Sequence, residues 1–540
     1  MARHVLITLF LCGWVSLLAQ PVSKTWQADL GNGMYKNPVL HADYSDPDVC
    51  RVGDEYYMTA SSFNAVPGLP VLQSKDLVNW KLIGHALKRQ VPLDHFEKVQ
   101  HGNGVWAPAI RYHNNEFYIY YPDPDFGIYL TKAKAAAGPW SEPILVEAGK
   151  GLIDPAPLWD EDGTAYLVHA YAGSRAGIKS VLVVKKLSTD GSKVIDAGRL
   201  VYDGHAQDPT IEGPKLYKRN NFYYIFAPAG GVTTGWQVVL RSENIYGPYE
   251  RKIVLAQGTT STNGPHQGAW ISTPAGEDWF VHFQDKGAYG RVVHLQPMRW
   301  VNDWPVIGED KDGDGTGQPV ATHTKPVINL KTALATPPES DEFNDSTPGL
   351  QWQWQANPQA TWYFTNTASG SLRLYSTQAD GIGNLWQAPN LLLQKFPAEE
   401  FSVTTKLTFQ PNTKIEAERT GLVILGSDYA GIGLKHTTAG VQVTHFVCMN
   451  ADKAGTEVET VLQTVTNNQI YLRVSVSKNA SCNFSYSMDG KKFTPISNRF
   501  EAKPGKWVGA KVGLFCVRTG QTNDAGFADV DWFRVEPLLK

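Results

Sequence analysis

Between residues 46 and 281 the chain repeats one pattern of hydrophobic and polar positions five times. Each copy starts with an acidic or Pro-containing head, continues as an apolar stretch, passes a polar turn and returns as an aromatic strand. The turns are rich in Gly, Asn and Asp, and the flanks alternate in β-branched and aromatic residues, which predicts a β-hairpin for each copy. The copies are residues 46–58, 106–119, 154–167, 212–224 and 265–281.

The spacing of these hairpins predicts a five-bladed β-propeller over residues 27–324. Three segments between the hairpins, at residues 74–80, 137–140 and 242–249, look like turns between outer strands of the same units. Almost nothing between them has helical periodicity. Five β units roughly fifty residues apart, each with some four strands, are typical of a propeller. A single large sandwich, the alternative, would not give such evenly spaced repeats.

A second domain follows a Pro-containing linker at residues 325–340. From residue 341 the pattern changes to longer alternating strands, such as those at 401–409 and 470–476. Residues 341–540 therefore predict a β-sandwich of ordinary single-domain size. The predicted fold class is all-β, a propeller followed by a sandwich. Two domains also suit a chain of 540 residues, which is too long for one core.

The N-terminus predicts export. Arg3 and His4 precede an apolar run at residues 5–19, and Ala19 offers a small residue before a cut, so residues 1–19 read as a signal peptide. The run is too short for a permanent membrane span. We therefore expect a secreted or periplasmic protein with no membrane insertion after cleavage.

Composition argues against one class of partner and predicts the state of the cysteines. The net charge is −3 with no basic stripe, which argues against a nucleic-acid partner. The 17 Trp suit sugar stacking, although core packing accounts for most of them. The spacing of the four cysteines left after cleavage resembles no zinc site. Buried free thiols are the default, with one bridge among the last three as the alternative; the four are Cys50, Cys448, Cys482 and Cys516.

Three of the five repeat heads carry a carboxylate, namely Asp46, Asp154 and Glu212, and a fourth carries His266. The innermost strand of each blade lines the central channel of a propeller, so equivalent heads converge on one axial site. A single acidic residue beside Pro is ordinarily a turn former. Three at equivalent positions are harder to explain in that way, because clustered carboxylates shift one another's pKa values and so favour acid–base chemistry.

At these residues the chain resembles glycoside hydrolase family 43, the inverting β-xylosidases, α-L-arabinofuranosidases and arabinanases. The matching motifs lie at residues 43–48, 57–63, 153–157, 211–215 and 290–296. The resemblance implies that Asp46 is the general base, that Glu212 is the general acid, and that Asp154 orients Glu212 and raises its pKa. The base and acid of an inverting enzyme stand roughly 6.5–9.5 Å apart, which leaves room for a water.

The resemblance also implies substrate-binding residues. Arg291 would contact sugar hydroxyls, with a surface ion pair as the alternative. Trp106 and Phe63 would stack on the sugar, with core packing as the alternative. His266 aligns with a channel histidine that lies beside a central ion in many members, although a lone His is more often simply hydrogen-bonded.

No required cofactor or catalytic metal is expected. Residues 310–315 fit the opening of an EF-hand loop, but Ala321 stands where that loop carries its bidentate Glu. A solvent-exposed turn is favoured there over a structural calcium site. Asp341 and Asp531 are further candidate calcium ligands. The sandwich resembles the concanavalin-like domain of many β-xylosidases of the family, in which a loop can close the pocket. Its Trp352, Trp354 and Trp362 are expected to pack against the propeller, with glycan binding as the alternative.

The function implied is exo-acting hydrolysis that releases terminal β-D-xylose and/or α-L-arabinofuranose from hemicellulose oligosaccharides of xylan, arabinoxylan or xyloglucan. One alternative is a retaining fructan hydrolase on the same fold. That group has Asn-Asp-Pro-Asn-Gly and Glu-Cys where this chain has Ser45-Asp-Pro-Asp-Val and Glu212-Gly213. The other alternative is a non-catalytic glycan-binding propeller. The choice between the two pentoses and the oligomeric state stay open.

Overall fold

The structure is a computed structural model that describes residues 21–328, 332–378 and 383–538. The predicted signal peptide at residues 1–19 lies outside this range. Secondary structure is almost entirely β, with a few single-turn helices. These turns are His95–Glu97, Gly173–Ala176, Gly287–Tyr289, Leu385–Gln387, Ala451–Lys453 and Lys478–Ala480.

The first half forms five antiparallel sheets of four strands each, and the strands of each sheet follow one another in chain order. Blade 1 contains Asp48–Val52, Glu55–Thr59, Gly68–Ser74 and Lys81–Leu87. Blade 2 contains Ala109–His113, Glu116–Asp123, Gly127–Ala133 and Ile144–Ala148. Blade 3 contains Leu152–Trp159, Ala165–Tyr171, Val181–Leu187 and Arg199–Asp203. Blade 4 contains Lys215–Arg219, Phe222–Ala229, Trp236–Ser242 and Glu250–Leu255. Blade 5 contains His266–Ser272, Asp278–Asp285, Arg291–Val301 and Trp304–Ile307.

This arrangement confirms the predicted five-bladed propeller. Each predicted hairpin forms the first two strands of its blade. A two-stranded pairing of Met34–Lys36 with Thr322–Thr324 joins the segment before blade 1 to the segment after blade 5. The two ends of the propeller segment are thereby held together.

The second half is the predicted β-sandwich. One sheet has the spatial order Gln353–Trp354, Leu392–Lys395, Lys511–Arg518, Arg419–Leu425, Tyr429–Thr437, Gly440–Cys448 and Glu457–Val465, with Thr377–Gln378 beside Lys511–Arg518. The facing sheet has the order Tyr363–Asn366, Ser371–Tyr375, Phe527–Glu536, Phe401–Gln410, Gln469–Ser477, Ser481–Ser487 and Thr494–Glu501. Alternate residues of these strands point inward, as the period of two requires, and build one apolar core between the sheets.

Trp352, Trp354 and Trp362 are buried in this core, and their rings pack on aromatic residues of the sandwich rather than mainly against the propeller as predicted. The backbone of Trp354 also exchanges hydrogen bonds with Val66 of blade 1, at 2.6 and 3.0 Å, so the sandwich is docked onto the propeller. Cys50, Cys448, Cys482 and Cys516 are all buried free thiols, so the expected default holds and the alternative bridge does not form. Among the described residues, no helix has the length and apolar character that crossing a membrane requires.

Candidate active site

The carboxylates of three repeat heads meet at one pocket on the propeller axis. Asp46 lies two residues before the first strand of blade 1, Asp154 lies in the first strand of blade 3, and Glu212 lies three residues before the first strand of blade 4. The pocket holds about 480 Å³ of empty space. Its walls are formed by Asp46, Phe63, Trp106, Ala107, Ile153, Asp154, Glu212, Val232, Gln267, Arg291 and Trp507.

Asp46 is held in one orientation by several donors. The hydroxyls of Ser45 and Ser61 donate to its Oδ2 at 2.6 and 2.5 Å. Arg291 Nη1 lies 3.3 Å from Oδ1 and donates to the Ser45 hydroxyl at 2.7 Å. Arg291 therefore lines the pocket and contacts Asp46, rather than forming a surface ion pair. Asp46 also has a left-handed backbone with φ of 55°, a strained conformation that concentrates at functional sites.

Asp154 is fully enclosed and contacts the backbone beside Glu212. The N–H of Gly213 donates to its Oδ2 at 2.6 Å, and Gln267 Nε2 lies 3.4 Å from the same oxygen. Burial raises the pKa of Asp154, while the positive charge of Lys215 and the Gly213 N–H oppose that rise. Because the bond to Gly213 holds the backbone next to Glu212, Asp154 is placed to orient that side chain.

Glu212 is in a different electrostatic situation. Its side chain is 25% exposed. Within the described part of the chain, no group donates a hydrogen bond to its carboxyl, and the Nε2 of His266 lies 3.5 Å away. Burial, followed by the negative charges of Asp154 and Asp46, raises the pKa of Glu212 to about 8. Lys215 and the Gly213 N–H favour the ionised form of Asp154, and Glu212 has no such partner among the described residues, so a proton shared by the pair is favoured on Glu212.

His266 lies behind Glu212 and is not among the side chains that line the pocket. It is completely buried, and burial with the nearby charge of Arg291 lowers its pKa to about 3. The ring is therefore neutral and forms no ion pair with Glu212. Neither ring nitrogen has a hydrogen-bond partner among the described residues. A contact between His266 and a sugar stays a prediction.

Aromatic side chains form the walls. Trp106 and Phe63 line the pocket as expected, and the indole N–H of Trp106 donates to the carbonyl of Gly102 at 2.8 Å. Trp507 adjoins Trp106 in the wall; the two ring centroids are 6.3 Å apart and the planes are at 68°, an edge contact. Trp507 belongs to the sandwich, in the loop between strands Thr494–Glu501 and Lys511–Arg518.

Sequence reasoning missed Trp507, Gln267 and Val232 as pocket residues. Gln267 had a usable signal, because it is next to His266 in the head of the fifth repeat. Trp507 and Val232 lie outside the repeat heads, and nothing in their local sequence points toward the channel. Only the docking of the sandwich brings Trp507 to the pocket.

The predicted acidic turn lies away from the pocket. Ligand atoms of Asp310, Asp312 and Asp314 come within 4.8 Å of one another, and the last two residues are exposed. The Asp310 carboxylate accepts the N–H groups of Gly313 and Gly315 at 2.9 and 3.2 Å, which closes the turn. A structural calcium there stays a prediction.

Comparison with known proteins decides the family. The family model described as "Glycosyl hydrolases family 43" matches residues 35–305, and that described as "Beta xylosidase C-terminal Concanavalin A-like domain" matches residues 340–536. The chain belongs to glycosyl hydrolase family 43. It is therefore a glycosidase.

Two relatives and one solved structure are similar to this chain over most of its length. A protein from Xylanibacter ruminicola, named as a candidate β-xylosidase, is 40% identical over 92% of this chain and 88% of its own length. A β-xylosidase from Formosa agariphila is 33% identical over 96% of this chain and 92% of its own. The crystal structure of a family 43 protein from Bacillus licheniformis superposes with a TM-score of 0.79 at 26% identity, covering 94% of this chain and 100% of that one.

Proposed function

We propose that this family 43 protein is an inverting, exo-acting β-xylosidase that releases terminal pentoses from hemicellulose oligosaccharides. The observation that carries the proposal is the contrast between two carboxylates in one pocket. Asp46 is fixed by Arg291 and two serine hydroxyls, whereas no residue that the structure describes donates to the Glu212 carboxyl, and the pKa of Glu212 is raised to about 8. One group is thus placed to accept a proton and the other to donate one.

In this mechanism Asp46 removes a proton from a water as the water attacks the anomeric carbon. Glu212 gives its proton to the leaving glycosidic oxygen on the opposite face of the sugar, so the configuration inverts in a single displacement. Asp154 positions Glu212 through the Gly213 backbone, and its charge disfavours early ionisation of Glu212. No metal or organic cofactor takes part in these steps.

The shape of the site supports removal of a terminal sugar. The pocket is small, and Trp507 of the sandwich narrows it beside Trp106. A small pocket with aromatic walls and a few convergent polar groups suits a single small ligand. A polysaccharide chain that runs through the site would need an open cleft instead.

The xylosyl group is favoured because two relatives above 30% identity are named β-xylosidases, one of them as a candidate. The test is kcat/KM on 4-nitrophenyl β-D-xylopyranoside and on 4-nitrophenyl α-L-arabinofuranoside, measured side by side. We expect the xyloside to be the better substrate. A higher kcat/KM on the arabinofuranoside would reassign the specificity, and an active Asp46→Ala/Glu212→Ala double variant would overturn the mechanism.

Two measurements separate the alternatives. In proton NMR of xylobiose hydrolysis, α-xylose is expected as the first product from the non-reducing end, and β-xylose would indicate a retaining enzyme. A retaining fructan hydrolase would release fructose from inulin, which we do not expect here. Calorimetric binding of xylooligosaccharides without turnover by the wild type would favour a binding module.

We also propose that the protein is exported and that residues 1–19 are removed. The supporting observation is the short apolar run after Arg3 and His4. The intact mass of protein recovered from the periplasm or medium of producing cells tests this proposal. A mature chain that retains residues 1–19 would contradict it.

A further inference from the structure

A single buried carboxylate joins the active-site pocket to the sandwich. Asp43 is only 4% exposed and lies three residues before Asp46. Its Oδ1 accepts the backbone N–H of Arg291 at 2.9 Å. Its Oδ2 accepts the backbone N–H of Gly509, also at 2.9 Å. One side chain therefore contacts the start of the strand that carries Arg291 and the sandwich loop that carries Trp507.

The three backbones at this junction are packed so closely that side chains are excluded. A Cβ placed on Gly290 would lie 2.4 Å from the Asp43 carboxyl carbon. A Cβ placed on Gly509 would lie 2.6 Å from the backbone nitrogen of Gly290. Both distances are shorter than contacts that a Cβ can make, so glycine is required at both positions for the carboxylate to reach both N–H groups.

The loop that carries Trp507 is held in place by contacts at both of its ends. Trp507 itself has a left-handed backbone with φ of 67°, which is unfavourable for a bulky residue and persists only where the surroundings hold it. The base of the loop is tied to its own domain by a bond from the Ser427 N–H to the Pro504 carbonyl at 3.0 Å. Beyond Trp507, the Gly509 N–H bonds to Asp43 and the Ala510 N–H bonds to the Ala288 carbonyl, so both hold the loop on the propeller.

Two lysines of the sandwich lie near Asp43. Lys395 and Lys511 face each other across adjacent strands of the sandwich. Burial lowers the pKa of each lysine, to about 8 for Lys511, and the Asp43 charge opposes both shifts. The carboxylate is thus paired with two backbone donors and sits in the field of two amino groups.

We propose that Asp43 is a positioning residue that sets substrate affinity by holding Trp507 of the sandwich against the pocket. Asp43 contacts no atom of the proposed reaction. It fixes the distance between the Trp507 wall and the Arg291 wall, which together enclose the sugar. The inference rests on the proposed function, because its main readout is hydrolysis of a β-xyloside.

The test is a double-mutant cycle of Asp43→Asn and Trp507→Ala, measured on xylobiose. An asparagine side chain has one acceptor oxygen and can satisfy only one of the two N–H groups, so the loop is released or the Arg291 strand shifts. We expect KM to rise about tenfold in Asp43→Asn, with kcat changed by less than about threefold, because binding rather than chemistry is weakened. In the Trp507→Ala background, Asp43→Asn should raise KM by less than about twofold.

Binding without turnover gives a second readout. In the Glu212→Gln background, calorimetry with xylobiose should show the same tenfold loss of affinity on Asp43→Asn. The matched control is Asp341→Asn, since Asp341 also accepts two backbone N–H groups, those of Phe343 and Gly349, but lies within the sandwich. Asp341→Asn should lower the melting temperature and leave KM unchanged.

Three outcomes would overturn the proposal: an unchanged KM in Asp43→Asn, a fall confined to kcat, or a KM effect of equal size with and without Trp507. If Asp43→Asn is insoluble, Asp43→Glu tests the same step, because it keeps the charge and displaces both oxygens. A wild type that hydrolyses no β-xyloside would instead contradict the proposed function. If the wild type is active but Asp43→Asn leaves KM unchanged, only the inference about Asp43 is wrong.

Discussion

Two glutamates, one in each domain, show how the same side chain serves structure or chemistry. Glu418 in the sandwich is completely buried and accepts the N–H groups of Asn412 and Gly526 at 2.6 and 2.8 Å, together with the Ser376 hydroxyl. Glu212 in the propeller is 25% exposed at the pocket, no described residue donates to its carboxyl, and burial followed by negative neighbours raises its pKa. The two side chains differ in their hydrogen-bond donors, in the charges around them and in their access to the pocket.

The physical lesson is that hydrogen bonds decide whether a buried carboxylate is inert. Donors replace the lost hydration and hold the charged form in one geometry. A buried carboxyl that has no hydrogen-bond donors and has negative charges nearby favours its neutral, protonated form. Such a carboxyl can donate a proton at neutral pH. Donors surround Glu418 in the sandwich core, whereas like charges lie near Glu212 in the propeller channel.

The largest expected effect is the fall in activity when the proton donor is removed. Glu212→Gln should lower kcat/KM on xylobiose about a thousandfold or more, because a positioned general acid contributes about 10²–10⁴-fold. On 4-nitrophenyl β-xyloside the loss should be smaller, since nitrophenolate leaves without protonation. Initial rates on both substrates check this prediction. Equal losses on the two would contradict the role of Glu212 as acid.

Asp154→Asn should lower kcat/KM about a hundredfold and change its pH profile. The substitution removes one of the negative charges that raise the pKa of Glu212, while burial is unchanged. Because Glu212 acts in its protonated form, activity is lost as pH rises through its pKa. The alkaline limb of kcat/KM should therefore move to lower pH in the variant, and a limb that stays in place would argue that Asp154 acts through geometry alone.

Glu418→Gln tests whether the sandwich glutamate serves stability rather than catalysis. An amide has one acceptor oxygen where the carboxyl has two, so the bonds from Asn412, Gly526 and Ser376 cannot all be kept, and the free energy of unfolding should fall by about 1–3 kcal/mol. Urea denaturation followed by tryptophan fluorescence measures the loss. kcat/KM should be unchanged, and a drop in activity without a drop in stability would break the distinction between the two glutamates.

The smallest effect is on the pH dependence of stability. A carboxyl whose folded pKa is raised from 4.5 to about 8 favours the folded state below its unfolded pKa, and this contribution is lost as pH rises through the folded pKa. Glu212→Gln should therefore match the wild type in melting temperature near pH 4 and exceed it by a few degrees near pH 9. A difference that does not change with pH would exclude the raised pKa.

The repeat in the sequence determined the blades and the place of the catalytic carboxylates. Turn chemistry and alternation are local, so each of the five hairpins could be predicted from a dozen residues, and equivalent positions in a closed propeller must meet on its axis. Asp46, Asp154, Glu212 and Trp106 follow from that argument. His266 shares a head position, but its side chain is buried behind Glu212, since a head position does not decide the direction of the side chain.

The tertiary structure alone decided which groups surround these residues. Trp507 reaches the pocket and Gly509 reaches Asp43 across 466 positions of sequence, because the sandwich docks on that face of the propeller. The repeat places Glu212 in the channel, but the sequence does not show which groups surround Glu212 or Glu418. Their surroundings differ because hydrogen-bond donors and neighbouring charges come from residues distant in sequence, and electrostatics inside a protein depends on distance in space.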